Sequence, residues 1–367
     1  MNEESSRGTM IRGPRKIGMI AVLSIVGVIG IFLIDTMDGA RTVTRDGVAM
    51  NTVVSVTLVS AKPKPQLNAI LDEIFALIGE LDKKFSMWNE DSPLSEINRN
   101  AGISPSAADG DLYSVLETAR RVAMLTDGAY DPTIGSVTRI WRDGTGEGRL
   151  PSSEDIASAL PLVGCEGLKL TSGGEAYLER RGANIDLGGI AKGYALWSIR
   201  RLLREKGVGS ALVNMGGDIL AVGDGDGDRP WRIGIQSPSK DRGTPLCAVR
   251  AANTSIVTAG VYERRWEMEG REWTHIYDPS TGFPIEGDLL SATVISADPA
   301  EGDALSTAFM VIGPARSLDL LRILPGVDAI FVLDSDERGM EVLATPGVRD
   351  SLEMFDDEYR LTFVDVY

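Results

Sequence analysis

Residues 184–196 read NIDLGGIAKGYAL: an apolar, strand-like approach, two glycines, then a helix-forming run that continues as IAKGYALWSIRRLLREKG to a stop at Gly207. A strand passing through Gly188 and Gly189 into a helix leaves backbone N–H groups free at the helix N-terminus, where the aligned peptide dipoles favour an anion. Lys192 stands in the first turn and adds a cation there. Read alone, residues 186–192 fit a phosphate-binding loop and an ordinary tight turn equally. The strand, turn and helix set the class of fold, and the flanking sequence repeats the alternation.

On the N-terminal side, MNTVVSVTLVS (50–60) alternates apolar and β-branched residues as a strand does. In the next stretch Leu67, Ile70, Leu71, Ile74, Ile78, Leu81 and Phe85 recur at three- and four-residue spacing, which predicts an amphipathic helix. A second helix is expected from Leu112 to about Thr126, ending before Gly128. On the C-terminal side, ALVNMGGDILAVG (211–223) reads as a strand pair or one bulged strand. WRIGIQS (231–237), SATVISA (291–297), AIFVLD (329–334) and RLTFVDV (360–366) read as strands. Residues 303–312 and 314–324 read as helices, with Pro314 in a first turn. The sum is an α/β or α+β domain with a mixed sheet over residues 48–367, entered through a polar linker at 35–47.

The 367-residue chain carries a formal charge of −16, which argues against a nucleic-acid face, because such faces need clustered Lys and Arg. Cys165 and Cys247 stand far apart and outside any ligand spacing, so a disulfide scaffold or a zinc site is excluded. They read as small buried hydrophobes, with a single bridge as the open alternative. Residues 17–34, IGMIAVLSIVGVIGIFLI, contain no charge and are long enough to cross a membrane as one helix. Arg7, Arg12, Arg15 and Lys16 precede the run, and Asp35 and Asp38 follow it. The positive-inside bias therefore leaves residues 1–16 in the cytoplasm and puts the working domain on the periplasmic or exterior side of the cytoplasmic (inner) membrane. A cleaved signal peptide is the competing reading, but the run is long for one and IDTMDGA (34–40) offers a poor cleavage site.

Three further places carry candidate chemistry. Asp303 and Thr307 are four apart in GDALSTAFMVIG, so a helix presents a carboxylate and a hydroxyl on one face. Both are oxygen donors suited to a hard cation, although an Asp near a helix start also serves as a cap. His275, in WTHIYDPSTGFP, is the one histidine of the chain and the one side chain whose ordinary pKa suits base chemistry at neutral pH. Trp88, in FSMWNEDSPLSEIN, offers a stacking surface for a flat ring, against the default of a buried Trp.

Taken in order, MNT (50–52), FSMWNEDSPLSEIN (85–98), GAYDPTIG (128–135), NIDLGGIAKGYA (184–195), LVNMGGDILAVG (212–223), SIVTAG (255–260), HIYDPSTGFP (275–284) and GDALSTAFMVIG (302–313) resemble the ApbE family of FAD:protein FMN transferases, or flavinyltransferases. The resemblance spans residues 48–345. It implies a two-lobed, T-fold-related α+β domain with FAD bound between the lobes. It also implies Mg²⁺ on Asp303, Thr307 and the Gly189 carbonyl, and flavin or adenine contacts at Met50, Trp88, Ala129, Tyr130, Asp131, Asp186, Lys192 and Tyr277. His275 matches the histidine assigned to acid/base work.

The implied reaction is protein flavinylation. A Thr or Ser hydroxyl of a target flavoprotein attacks the FMN phosphorus of FAD, and AMP leaves. Family targets carry a motif resembling Asp-x-x-Thr/Ser-Gly-Ala-Thr/Ser, on exported subunits of Na⁺-pumping NADH:quinone reductase or Rnf-type complexes. Two other outcomes use the same residues: an FAD pyrophosphatase giving FMN and AMP, and a non-enzymatic extracytoplasmic FAD-binding protein. The chain departs from the family pattern at Asn51, where Gly is usual, at Ala259, where Ser is expected, and at Trp88, where Tyr is frequent.

Overall fold

The computed structural model describes residues 39–225, 229–335 and 339–366. The segments read as cytoplasmic (1–16) and as a membrane anchor (17–34) lie outside them. The first strand, β1 (Arg41–Ala49), pairs in register with β2 (Thr52–Ser60) through a two-residue turn. Most of the stretch assigned to a linker at 35–47 is thus sheet: RTVTRDGVA (41–49) completes a hairpin around Met50 and Asn51. Both turn residues take left-handed φ values, 48° and 56°. Asn tolerates that conformation nearly as well as Gly, which accounts for Asn51 where the family has Gly. Met50 has no such tolerance and is held there in part by its N–H bond to Asp82 Oδ2 at 3.0 Å.

The chain continues through α1 (Lys64–Phe85), α2 (Pro93–Arg99), β3 (Ser106–Ala107), α3 (Gly110–Leu125), α4 (Gly135–Glu147), α5 (Ser153–Ala159), β4 (Leu168–Thr171) and β5 (Glu175–Leu178). Next come α6 (Ala191–Glu205), β6 (Ser210–Met215), β7 (Asp218–Val222), β8 (Trp231–Gln236), β9 (Pro245–Ala251) and β10 (Thr254–Gly260). The hairpin β11 (Arg265–Met268) and β12 (Arg271–Thr274) precedes β13 (Leu289–Ser296) and α7 (Pro299–Leu321). Strands β14 (Asp328–Ser335), β15 (Gly339–Ala344), β16 (Leu352–Met354) and β17 (Arg360–Phe363) close the chain.

A nine-stranded sheet in the order β1-β2-β6-β7-β10-β13-β14-β15-β17 is the central layer. It is antiparallel except for the β15–β17 pair, so the expectation of a mixed sheet holds. The apolar positions predicted on α1 are the ones it buries, and α1, α6 and α7 cover one face of the sheet. The small sheet β16-β9-β8 covers the other face with Trp231, Ile233, Ile235 and Val249. Strand β14 shows the consequence of two covered faces: Ala329 and Phe331 enter one core, Ile330 and Val332 the other. The described residues form one compact unit around this sheet. Cys165 and Cys247 are buried free thiols. Helix α7 is apolar nearly all round because it packs against β10, β13, α3 and α6. It breaks at Gly313 (φ 74°), so the predicted division before Pro314 is observed.

Candidate active site

The approach to α6 is tightly specified. Buried Asn98, on α2, holds Ile185 on both sides: its Oδ1 accepts from Ile185 N at 2.7 Å and its Nδ2 donates to Ile185 O at 3.1 Å. Asp186 N donates to Pro132 O at 2.7 Å, and Asp186 Oδ1 accepts from Gly188 N at 2.8 Å. That last bond corrects the reading of both glycines as free donors. The Gly188 N–H is spent inside an Asx turn, and of the two glycines only Gly189 keeps its N–H unpartnered.

Gly193 lets α6 and α7 meet almost backbone to backbone, because a Cβ there would lie 2.2 Å from Pro299 O and 2.7 Å from Asp303 Cβ. Its N–H donates to Asp303 Oδ2 at 2.9 Å. Lys192 Nζ lies 3.6 Å from Asp303 Oδ1 and forms a close ion pair with Asp218. Asp218 opens β7 directly after Gly216 and Gly217, whose positive φ values make the turn that brings it inward. It is 1% exposed, and its Oδ1 has no partner. The sequence reading passes over Asp218; the available signal was an acid directly behind a Gly–Gly turn. Burial works against the Lys192 ammonium, yet the charges of Asp218 and Asp303 outweigh it and hold it raised, a permanent cation. Burial raises the Asp218 carboxyl against the pull of Lys192.

Asp303, 3% exposed, and Thr307 share one side of α7 as their spacing predicts. Asp303 Oδ1 accepts no hydrogen bond beyond its ion pair with Lys192, and Thr307 Oγ1 makes none. Gly189 closes the group: a Cβ there would lie 3.0 Å from Thr307 Oγ1 and 3.3 Å from Tyr130 Cε2. Among the described residues no cluster of three or more His, Cys, Asp or Glu could hold a metal. The donor set is instead one carboxylate, one hydroxyl and main chain. It fits a hard cation that keeps phosphate or water for its other positions. Tyr130 stands beside it, 4% exposed, with an unpartnered hydroxyl. Burial pushes that hydroxyl well above its usual pKa, and the Asp303 and Asp186 charges add to the effect.

His275 follows β12. Its Nδ1 lies 3.1 Å from Arg264 O, and its N donates to the same carbonyl at 3.3 Å. A carbonyl only accepts, so Nδ1 carries the proton and Nε2 keeps its lone pair. Burial lowers the His275 pKa to about 4, with the Arg264 and Lys192 charges adding to the effect. Tyr277 stacks on Trp141 at 5.8 Å and 27°. Burial raises its hydroxyl, helped by the charge of Asp186. Trp141 Nε1 also donates to Gly282 O at 2.8 Å, which ties residues 275–284 to α4.

Other expected contacts stand apart from this cluster. The Asp131 carboxylate is spent on Thr133 N and Oγ1 and on Cys165 N, so it builds the turn. Ala129 is buried beside it. Met50 sits in the β1–β2 turn, next to Thr52, whose side chain covers Gly216. Trp88 is 43% exposed, as a stacking surface should be, but Arg142 already lies over its ring at 3.6 Å from the centroid. Ala259, half-buried on β10, pairs with Ala292, and nothing in the structure explains its replacement of Ser.

The cluster thus sets a cation beside a donor set suited to a hard metal, and the neutral His275 imidazole lies near enough to feel the Lys192 charge. Among relatives, an FAD:protein FMN transferase of Treponema pallidum is 33% identical over 88% of this chain and 91% of its own length. One of Klebsiella pneumoniae is 32% identical over 72% of this chain and 82% of its own. The crystal structure of the ApbE protein from Thermotoga maritima superposes with a TM-score of 0.76 at 31% identity, covering 85% of this chain and 99% of that one. The flavin transferase ApbE from Vibrio cholerae gives 0.75 at 26% identity with the same coverage. The sequence model of the ApbE family matches residues 50–331, and the chain belongs to that family.

Proposed function

We propose that the chain transfers FMN from FAD to a Thr or Ser hydroxyl of a target flavoprotein and releases AMP, with Mg²⁺ required. The observation that carries this reading is the convergence of Gly189, Asp303 and Thr307 beside Lys192, in a chain whose relatives are FAD:protein FMN transferases. Mg²⁺, when held by these three residues, supplies neutralisation of charge on the pyrophosphate. Lys192, fixed by Asp218 and Asp303, adds a second positive charge without moving. His275 Nε2 accepts the proton of the incoming hydroxyl. The hydroxyl oxygen forms the new bond to the FMN phosphorus, and the bond to the AMP oxygen breaks.

Incubating the full-length protein with FAD, Mg²⁺ and a peptide bearing the Asp-x-x-Thr-Gly-Ala-Thr motif tests the reading. Covalently fluorescent peptide supports it. AMP without labelled peptide makes the chain a pyrophosphatase, and intact retained FAD makes it a binding protein. The working location proposed for this activity is outside the cytoplasmic membrane, on the support of the apolar run at 17–34 and the basic residues before it. Protease digestion of intact spheroplasts checks it: a protected domain rules that location out.

His275→Ala is expected to slow transfer by roughly 10²- to 10⁴-fold, the usual contribution of a positioned base, with FAD affinity kept. An equal loss of FAD binding would make its role structural. The low His275 pKa also fixes a pH dependence. The base form is lost only as pH falls through about 4, so the acid limb of kcat/KM lies near there and not near the ordinary histidine value of 6.5. Bound pyrophosphate brings negative charge toward His275, so the acid limb of kcat should lie at higher pH than that of kcat/KM. An acid limb that persists unchanged in His275→Ala would remove His275 from the proton transfer.

A further inference from the structure

The hairpin β11–β12 belongs to no larger sheet. Its turn, Glu269 and Gly270 with φ of 55° and 74°, makes Met268 and Arg271 the first pair, and two-residue turns of this kind close on a hydrogen-bonded pair. The bond from His275 N to Arg264 O continues the same alternation. The N–H and C=O groups of Glu272 and Thr274 therefore point away from β11, and none of them bonds elsewhere among the described residues.

That open edge borders a cleft of about 540 Å³, whose apolar lining includes Val261, Ile285, Met310 and Val311. Thr274 also lines it, 6% exposed, and its Oγ1 has no partner. The cleft begins where the candidate site ends: Thr274 precedes His275, and Met310 and Val311 lie one turn beyond Thr307 on α7. Asp186, Lys192 and Tyr277 do not line it, so an occupant would not displace a dinucleotide held by them.

We propose that this cleft seats the acceptor, with an extended segment of the target protein adding to β12 as an edge strand and delivering its hydroxyl to His275. The inference rests on the transferase reading above. An open strand edge is a template for a further strand, and a lone two-stranded hairpin gains stability from one. The path from Glu272 to His275 is roughly 10 Å at strand rise, so a paired segment reaches the base within a few residues. Charge does not choose the occupant. Arg265 pairs with Glu272 at 3.1 Å and Arg271 with Glu286, which leaves Asp288, among the described residues, as the one charge of the lining outside an ion pair. Recognition falls to main-chain hydrogen bonds, the mode by which edge-strand addition binds peptides.

The test uses the full-length protein with FAD, Mg²⁺ and the motif peptide. Glu272→Pro removes one outward N–H and leaves the main-chain bonds to β11, as proline on a free edge permits, and Glu272→Ala, expected to leave the peptide KM within twofold, controls for the lost ion pair with Arg265. The KM for peptide should rise tenfold or more while the KM for FAD stays within twofold. A second measurement keeps the wild-type enzyme and methylates the peptide backbone one nitrogen at a time. Alternate positions flanking the hydroxyl should raise KM at least tenfold. Unchanged peptide KM for Glu272→Pro, or even tolerance along the methylated series, overturns the docking proposal while wild-type labelling still upholds the transferase reading. A wild type that labels no peptide ends both.

Discussion

Asp303→Ala is expected to lower kcat/KM for the proposed Mg²⁺-dependent FMN transfer by about 10³-fold or more, which corresponds to about 4 kcal/mol of transition-state stabilisation. Asp303 joins three parts of the site: Oδ2 takes the Gly193 N–H at the start of α6, Oδ1 lies 3.6 Å from Lys192, and the carboxylate is the one acid of the proposed metal set. The alanine change also leaves the Gly193 N–H without its acceptor, at a cost of about 1–3 kcal/mol of stability. Asp303→Asn separates the two effects, because an amide oxygen still accepts that bond but brings no charge. Both variants are expected to be inactive, and only the alanine variant should melt clearly lower. Turnover against Mg²⁺ concentration and Tm by calorimetry check this. Wild-type turnover in Asp303→Asn would remove the carboxylate from the metal site.

The features legible in the sequence were those with a local period or a local neighbour. The buried face of α1 follows from spacing alone, and the break in α7 follows from Gly313 and Pro314. Asp303 and Thr307 share a face because four residues make about one turn. The features that escaped depend on distant chain. Asp218 becomes a partner of Lys192 only when the β6–β7 turn meets the start of α6, and Asn98 holds Ile185 from 87 positions away. The Gly188 N–H reads as free until the Asp186 side chain is seen to fold back onto it. The early start of the sheet was missed for another reason: RTVTRDGVA carries charges on an edge strand, where they face solvent and mimic a linker.

Gly193→Ala sets two opposed effects against each other at the centre of the site. Alanine favours a helix over glycine by about 1 kcal/mol, so propensity alone predicts a more stable protein. The added Cβ, however, would fall 2.2 Å from the Pro299 carbonyl and 2.7 Å from Asp303 Cβ, and neither neighbour is the far end of a flexible side chain. Relief requires α6 and α7 to separate. Overpacking of that kind costs roughly 1–3 kcal/mol and can exceed it where backbone must shift, so the clash wins over the propensity. Separation also lengthens the bond from Gly193 to Asp303 and draws Lys192 away from the carboxylates that fix it. The expected result is a Tm lower by about 5 °C and transfer reduced about 10²-fold, since small misplacements of positioned groups have effects of that size. Gly193→Ala with a raised Tm and normal transfer would show that the two helices do not meet at this glycine, and the proposed metal set would lose the contact that holds it together.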